Sequence, residues 1–148
     1  MNLRPATRED IGAIATIFIE TRTRCLSYLN WDYSQEIMVE VFGRQMAEMD
    51  MWVAEVGGHI VGFVAYDREE VHHLYVLPEH HGQGFGAALL DIALRQAPAD
   101  IRLWVFQENS HARGFYEKHG FVLEYETDGQ GNLEKTPDAR YVLRASAP

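Results

Sequence analysis

The 148-residue sequence holds a single cysteine, Cys25, so an internal disulfide and a cysteine-based zinc cluster are both excluded. Positive charge is scarce as well. The 13 Lys and Arg residues stand against 22 Asp and Glu, giving a net charge of −9, and nucleic acid is therefore not an expected partner. No apolar run approaches the length of a membrane span, and Met1-Asn2-Leu3-Arg4-Pro5 lacks the apolar core of a signal peptide. A membrane is not an expected partner, and the expected compartment is the cytoplasm. Internal repeats, low-complexity tracts and linkers are also missing. What remains is one domain over residues 1–148, whose 47% apolar content suffices for a core. The acidic balance is compatible with a cationic substrate such as an amine. It opposes an anionic ligand at long range, so an anion site here must rely on local N–H groups.

Such a site is present in outline. His81-Gly82-Gln83-Gly84-Phe85-Gly86-Ala87 joins a strand-like run, residues 71–77, to an amphipathic helix in which Phe85, Ala88, Leu89, Ile92 and Ala93 share one apolar face. A glycine-spaced turn that opens a helix gathers unpaired backbone N–H groups at the positive end of the helix dipole, which suits a phosphate or pyrophosphate. Gly84 and Gly86 lack a Cβ and so let a ligand approach the main chain, with dihedrals closed to other residues. Gly82, Gly84 and Ala87 also satisfy a dinucleotide-binding fingerprint, with Glu108 as the acidic partner. That motif starts directly off its strand, whereas Pro78, Glu79, His80 and His81 intervene here. Too few residues follow Glu108 for a doubly wound domain, and no Gly-Lys-Ser/Thr completes a Walker loop.

Along the chain, residues 3–6 read as a first strand. Thr7 and Asp10 cap a helix whose Ile11, Ile14, Ala15 and Phe18 share a face. Residues 25–33 form an aromatic-rich connection with Tyr28, Trp31 and Tyr33, and a second helix is expected over residues 34–48 with Met38, Val41 and Phe42 inward. Residues 51–56, Gly57-Gly58 and residues 59–66 predict a β-hairpin. The helix after the glycine turn runs to about Gln96, and Ala97-Pro98-Ala99-Asp100 separates it from a strand at residues 101–106. This strand-helix-strand order predicts a right-handed crossover and a parallel pair. A short helix ended by Gly120 and two closing strands, residues 121–127 and 140–144, complete the chain, with a polar loop at residues 128–138. The expected class is α/β, of the α+β kind: a mixed, mostly antiparallel central sheet with helices on both faces.

A second motif follows the strand at residues 101–106: Asn109-Ser110-His111-Ala112-Arg113-Gly114-Phe115-Tyr116-Glu117-Lys118-His119-Gly120-Phe121. Together with the glycine turn about 25 residues upstream and the run Leu74-Tyr75-Val76-Leu77-Pro78-Glu79, it resembles the Gcn5-related N-acetyltransferase (GNAT) superfamily. One departure lies at His81, where the family pattern Q/R-x-x-G-x-G/A has Gln or Arg.

The resemblance implies a GNAT-like acyl-CoA N-acyltransferase fold and transfer of an acetyl group from acetyl-CoA to a primary amine by direct attack. A non-catalytic acyl-CoA-binding or regulatory domain is the alternative. It implies that the pantetheine arm pairs like an added strand with the backbone around Leu74, Tyr75 and Val76, and that an N–H near Val76 polarises the acyl oxygen. The pyrophosphate is assigned to the amides from Gly82 to Ala87, with His81 and Asn109 nearby. Tyr116 matches the family's usual acid, which protonates the departing thiolate.

For the base, many members carry a glutamate on the central strand. Here the candidates are Glu70, His72 and His73. Successive strand residues point to opposite faces, so at most one of the two histidines meets the substrate. Adjacent strand histidines cannot both face one ion, and no zinc-like spacing exists, so no metal is expected. Cys25 has no nucleophile motif around it and reads as a buried structural thiol. The acceptor is expected to be a small-molecule amine or an amino-terminal group lying against Tyr28, Trp31 and Tyr33, since aromatic faces attract ammonium groups. A homodimer is left open.

Overall fold

A computed structural model of the chain describes residues 1–29 and 33–145. Its strands are β1 (Asn2–Pro5), β2 (Asp50–Val56), β3 (His59–Tyr66), β4 (Val71–Val76), β5 (Ile101–Phe106), β6 (Val122–Thr127) and β7 (Asp138–Leu143). Its helices are α1 (Ile11–Cys25), α2 (Gln35–Gln45), α3 (Phe85–Gln96) and α4 (Ser110–Lys118). The Thr7 amide and hydroxyl both donate to the Asp10 carboxylate, which also receives the Arg4 guanidinium. Arg4 and Thr7 together pull the Asp10 carboxyl down to about 2. This ties β1 to the start of α1. The second helix is shorter than its sequence suggests. After Gln45 the bonds tighten to i→i+3, from Ala47 to Arg44 and from Glu48 to Gln45, and the helix gives way to turns.

The strands form two antiparallel sheets, ordered β1-β2-β3-β4 and β5-β7-β6. One face of the first sheet is covered by α1 and α2. Ile14, Phe18, Met38 and Phe42 meet Val53, Phe63 and Ala65 there, each aromatic contributing about 2 kcal/mol by leaving water. On the other face lies α3, with Phe85, Leu89, Leu90 and Ala93 buried against Val61, Val64 and Val76 and against Ile101, Leu103 and Tyr141 of the second sheet. No helix among the described residues is long and apolar enough to cross a membrane.

One expectation fails in an instructive way. The parallel pair of β4 and β5 is reduced to a single bridge, Glu70 to Arg102, supported by the Arg102 amide donating to Glu69 O. Beyond that point the strands part. The outer edge of β4 from His72 to Val76 therefore pairs with no strand among the described residues, and open space replaces the missing ladder. Residues from α1 and α4, among them Arg22, Ala112 and Tyr116, line the space between the diverging ends.

Candidate active site

Two cavities flank the split. The first, about 600 Å³, is walled by the glycine turn, the start of α3, the end of α1 and α4, including Gly82, Gly84, Phe85, Gly86, Ala87 and His111. The second, about 700 Å³, is walled by Arg22, Trp104, Phe106, Asn132 and Asp138 among others. They meet at Leu26, Leu74, Tyr75, Asn109, Ala112 and Tyr116, which line both.

The first cavity is a main-chain site. Gly82 and Gly84 take φ of +75° and +88°, left-handed values that a side chain would strain, and a Cβ on Gly82 would enter open space. Gly84 is the N-cap of α3 and supplies no side chain to it, and the first helical bond runs from Ala88 N to Gly84 O. Among the described residues nothing accepts from the amides of residues 82–87. An anion is the natural partner for such a cradle. Gly86 differs from its sequence reading. It is helical, within the first turn of α3, where it still lines the cavity, and a Cβ on it would meet the Phe115 ring at 3.4 Å. His81 Nε2 lies 2.7 Å from Val76 O, and its ring stacks on His111 at 5.2 Å and 9°. Gln83 reaches back to the turn, near His80 Nδ1 and Glu79 O. Asn109 caps α4, its Oδ1 accepting from Ala112 N.

Tyr116 is buried at the junction, edge-on to Phe115 and Phe121. Burial, with a smaller contribution from Tyr75, pushes its phenol well above the ordinary value near 10, so it stays protonated across the physiological range.

A bulge between β3 and β4 aims the candidate bases. Tyr66 pairs with Val71 and Ala65 with His73, leaving His72 as the extra residue. His73 turns towards α1 and α2, into a ring cluster of Phe18, Phe42, Phe63 and Tyr75, with Nε2 3.0 Å from Gln45 Oε1. Burial there, with the nearby Arg22 charge, holds its pKa down at about 3. His72 lies between two carboxylates, Nε2 at 2.7 Å from Asp67 and Nδ1 at 3.3 Å from Glu70, and Glu70 in turn meets Arg140 at 2.7 Å.

The aromatic connection is only partly seen. Trp31 lies outside the described residues. Tyr28 sits edge-on to Phe106 at 6.4 Å with a buried hydroxyl, and burial, with Glu108 and Tyr75, pushes it up to about 12. Tyr33 packs against the α1/α2 core. Neither ring is part of the second cavity's wall, which Arg22, Trp104 and Phe106 supply instead. Cys25 is exposed rather than buried. Arg22, Trp104, Asn132 and Asp138 carried no sequence signal, because they come from α1, β5, the last loop and the start of β7 and belong to no contiguous pattern.

Two joined cavities, an anion cradle on one side and polar groups on the other, suit a protein that brings two substrates together. The comparisons agree. Residues 47–123 match the model of the acetyltransferase (GNAT) domain, so the chain belongs to the GNAT family, and it is an N-acetyltransferase. An N-acetyltransferase of Archaeoglobus fulgidus is 32% identical over 150 residues, covering 89% of this chain and 99% of the relative. The probable N-acetyltransferase Rv2775 of Mycobacterium tuberculosis is 38% identical over 108 residues, which span 66% of this chain and 62% of that longer relative. The PaiA N-acetyltransferase of Thermoplasma acidophilum, solved in complex with coenzyme A, shares the fold with a TM-score of 0.75 at 21% identity, over 97% of this chain and 98% of that one.

Proposed function

We propose that the chain transfers acetyl from acetyl-CoA to a primary amine, with the two substrates entering the two cavities and meeting at Tyr116. The observation that carries this reading is the join of a main-chain anion cradle to a second polar cavity through one set of six lining residues. The amides of residues 82–87 hold the pyrophosphate, and the unpaired edge of β4 from Leu74 to Val76 receives the amide-bearing arm as an added strand. His81 already holds Val76 O in the manner of such a donor, and gives it up to the arm.

In the reaction a C–N bond forms at the thioester carbonyl, the C–S bond breaks, and the amine loses one proton while the sulfur gains one. Tyr116 supplies the sulfur's proton. The dry surroundings that raise the phenol also raise the basicity of the departing thiolate, so the two remain matched. Of the three candidate bases, His73 is disfavoured, since a group held near 3 is a poor acceptor for an ammonium proton. His72 with Glu70 is favoured, because His72 lines the acceptor cavity and is coupled to carboxylates on both sides. The acceptor is a small amine or an amino-terminal group, and the active form is cytoplasmic. A non-catalytic acyl-CoA-binding role is the rival.

Thiol release from acetyl-CoA against a panel of primary amines tests the reading. Amine-dependent release with formation of the N-acetyl product is the expected outcome. Binding of acetyl-CoA with no release for any amine defeats the catalytic reading and leaves the rival.

A further inference from the structure

Resting on that transfer reading, we propose that acetyl-CoA binding is coupled to uptake of a proton from solvent by the stacked pair His81 and His111, so that the cofactor cavity is a proton-dependent anion site. In a chain of net charge −9, the wall of that cavity includes no Asp or Glu among the described residues. It includes instead four of the chain's seven histidines, His80, His81, His111 and His119, with Lys118 and no arginine. Lysine keeps its charge across the range in which imidazole changes. Apart from Lys118, the side-chain charge offered to a pyrophosphate therefore depends on protonated imidazole.

His81 and His111 are the members placed to respond. His81 stands directly before the cradle, and His111 lies in the first turn of α4. Their rings are parallel within 9°, with centres 5.2 Å apart. Because Val76 O can only accept, His81 Nε2 carries a hydrogen in the free chain, which leaves Nδ1 to take up the proton. Neither that Nδ1 nor either ring nitrogen of His111 has a hydrogen-bond partner among the described residues. Once the arm takes Val76 O, a doubly protonated His81 has two donors for the anion. Two imidazolium rings at this spacing repel, and a pyrophosphate on the amides of residues 82–87 offsets the repulsion. The anion thus favours the charged pair, and by linkage the charged pair favours the anion.

The other titratable groups on the wall come from the turn, α1, β4 and α4. His80 is edge-on to Phe85, with Nδ1 3.4 Å from Gln83 Oε1, and His119 donates from Nδ1 to Phe115 O at 2.8 Å. Lys118 and Tyr116 belong to α4, Tyr75 to β4, and Cys25 ends α1. Glu79, the acid nearest in sequence, is outside the wall and paired with Arg24 at 2.9 Å.

The test is calorimetric titration of the chain with acetyl-CoA in buffers of different ionisation enthalpy, at about pH 7.5, where the cofactor's own phosphates are already ionised. The natural chain should take up at least about 0.3 proton per acetyl-CoA bound. Its Kd should rise several-fold from about pH 6.5 to pH 8, because a group whose proton affinity the ligand raises gives up that ligand as pH climbs through the imidazole range. His111→Gln, a change at an exposed position that does not threaten folding, should roughly halve the uptake. His81→Arg with His111→Gln puts a permanent cation before the cradle, and should bind with no uptake and a Kd that is flat over the same range. Uptake near zero in the natural chain, or uptake of natural size in the double variant, overturns the proposal while leaving acetyl transfer intact. Absence of acetyl-CoA binding at every pH overturns the transfer reading and this proposal together.

Discussion

The two cavities are built by opposite means. The side proposed for the cofactor is local and made of main chain: a few consecutive residues, two of them left-handed glycines, have amides with no acceptor among the described residues. The acceptor side is assembled from side chains on α1, β4, β5 and the last loop. A site of amides tolerates wide change in its side chains but not in its backbone angles. A site of side chains can be retuned by single substitutions without disturbing the other cavity. Under the proposed function, this division holds one substrate constant and leaves the second free to vary.

Breaking the cradle should give the largest effect. Gly84→Asp adds a Cβ at a φ of +88° and a negative charge beside the amides. The upward shift in melting temperature that acetyl-CoA gives the natural chain should vanish. An unchanged shift in a folded variant removes the pyrophosphate from this turn.

At the junction, Tyr116→Phe should keep that thermal shift but lower turnover by about 10²- to 10⁴-fold if the phenol is the sole acid. The raised phenol also means that the rate of the natural enzyme should show no loss from Tyr116 ionisation up to pH 9. Wild-type turnover in the variant, with chemistry limiting, reduces Tyr116 to packing.

The adjacent histidines of β4 sharpen the contrast between core and cavity. His73 is held near 3 when folded and returns to about 6.5 when unfolded, so the unfolded chain binds the extra proton between those values. Stability is therefore fully present above pH 6.5 and falls as pH drops, by roughly 2 kcal/mol between pH 7 and pH 5 from this one group. Urea unfolding at the two pH values should show the loss, and His73→Gln should diminish it. His72→Gln should instead move the pH dependence of turnover. If the two variants exchange these phenotypes, the assignment of faces is wrong.

Smallest is the difference between two helix caps. The Ser34 hydroxyl accepts from Ile37 N at the start of α2, and Asn109 accepts from Ala112 N at the start of α4. Replacing either with alanine should cost about 1 kcal/mol in stability. Only Asn109→Ala should also alter acetyl-CoA kinetics, because Asn109 lines both cavities. Equal silence in both variants would make Asn109 a cap and nothing more.

Much of the molecule was legible before folding was considered. The hairpin around Gly57-Gly58, the glycine turn before α3 and the apolar face of α3 all follow from residues a few positions apart, where sterics and periodicity act directly. The glycine turn and the segment from Asn109 also carry the resemblance to the family whose domain model matches residues 47–123. The sequence alone did not determine the parting of β4 from β5, which local order would have paired, nor the acceptor wall. Arg22 lies 53 positions from Tyr75 and 112 from Glu134, and no local rule joins them. The burial of Tyr116, the cage around His73 and the ion pair at Arg22 exist only once distant segments exclude water together, because desolvation is a property of the packed neighbourhood and not of any one stretch of chain.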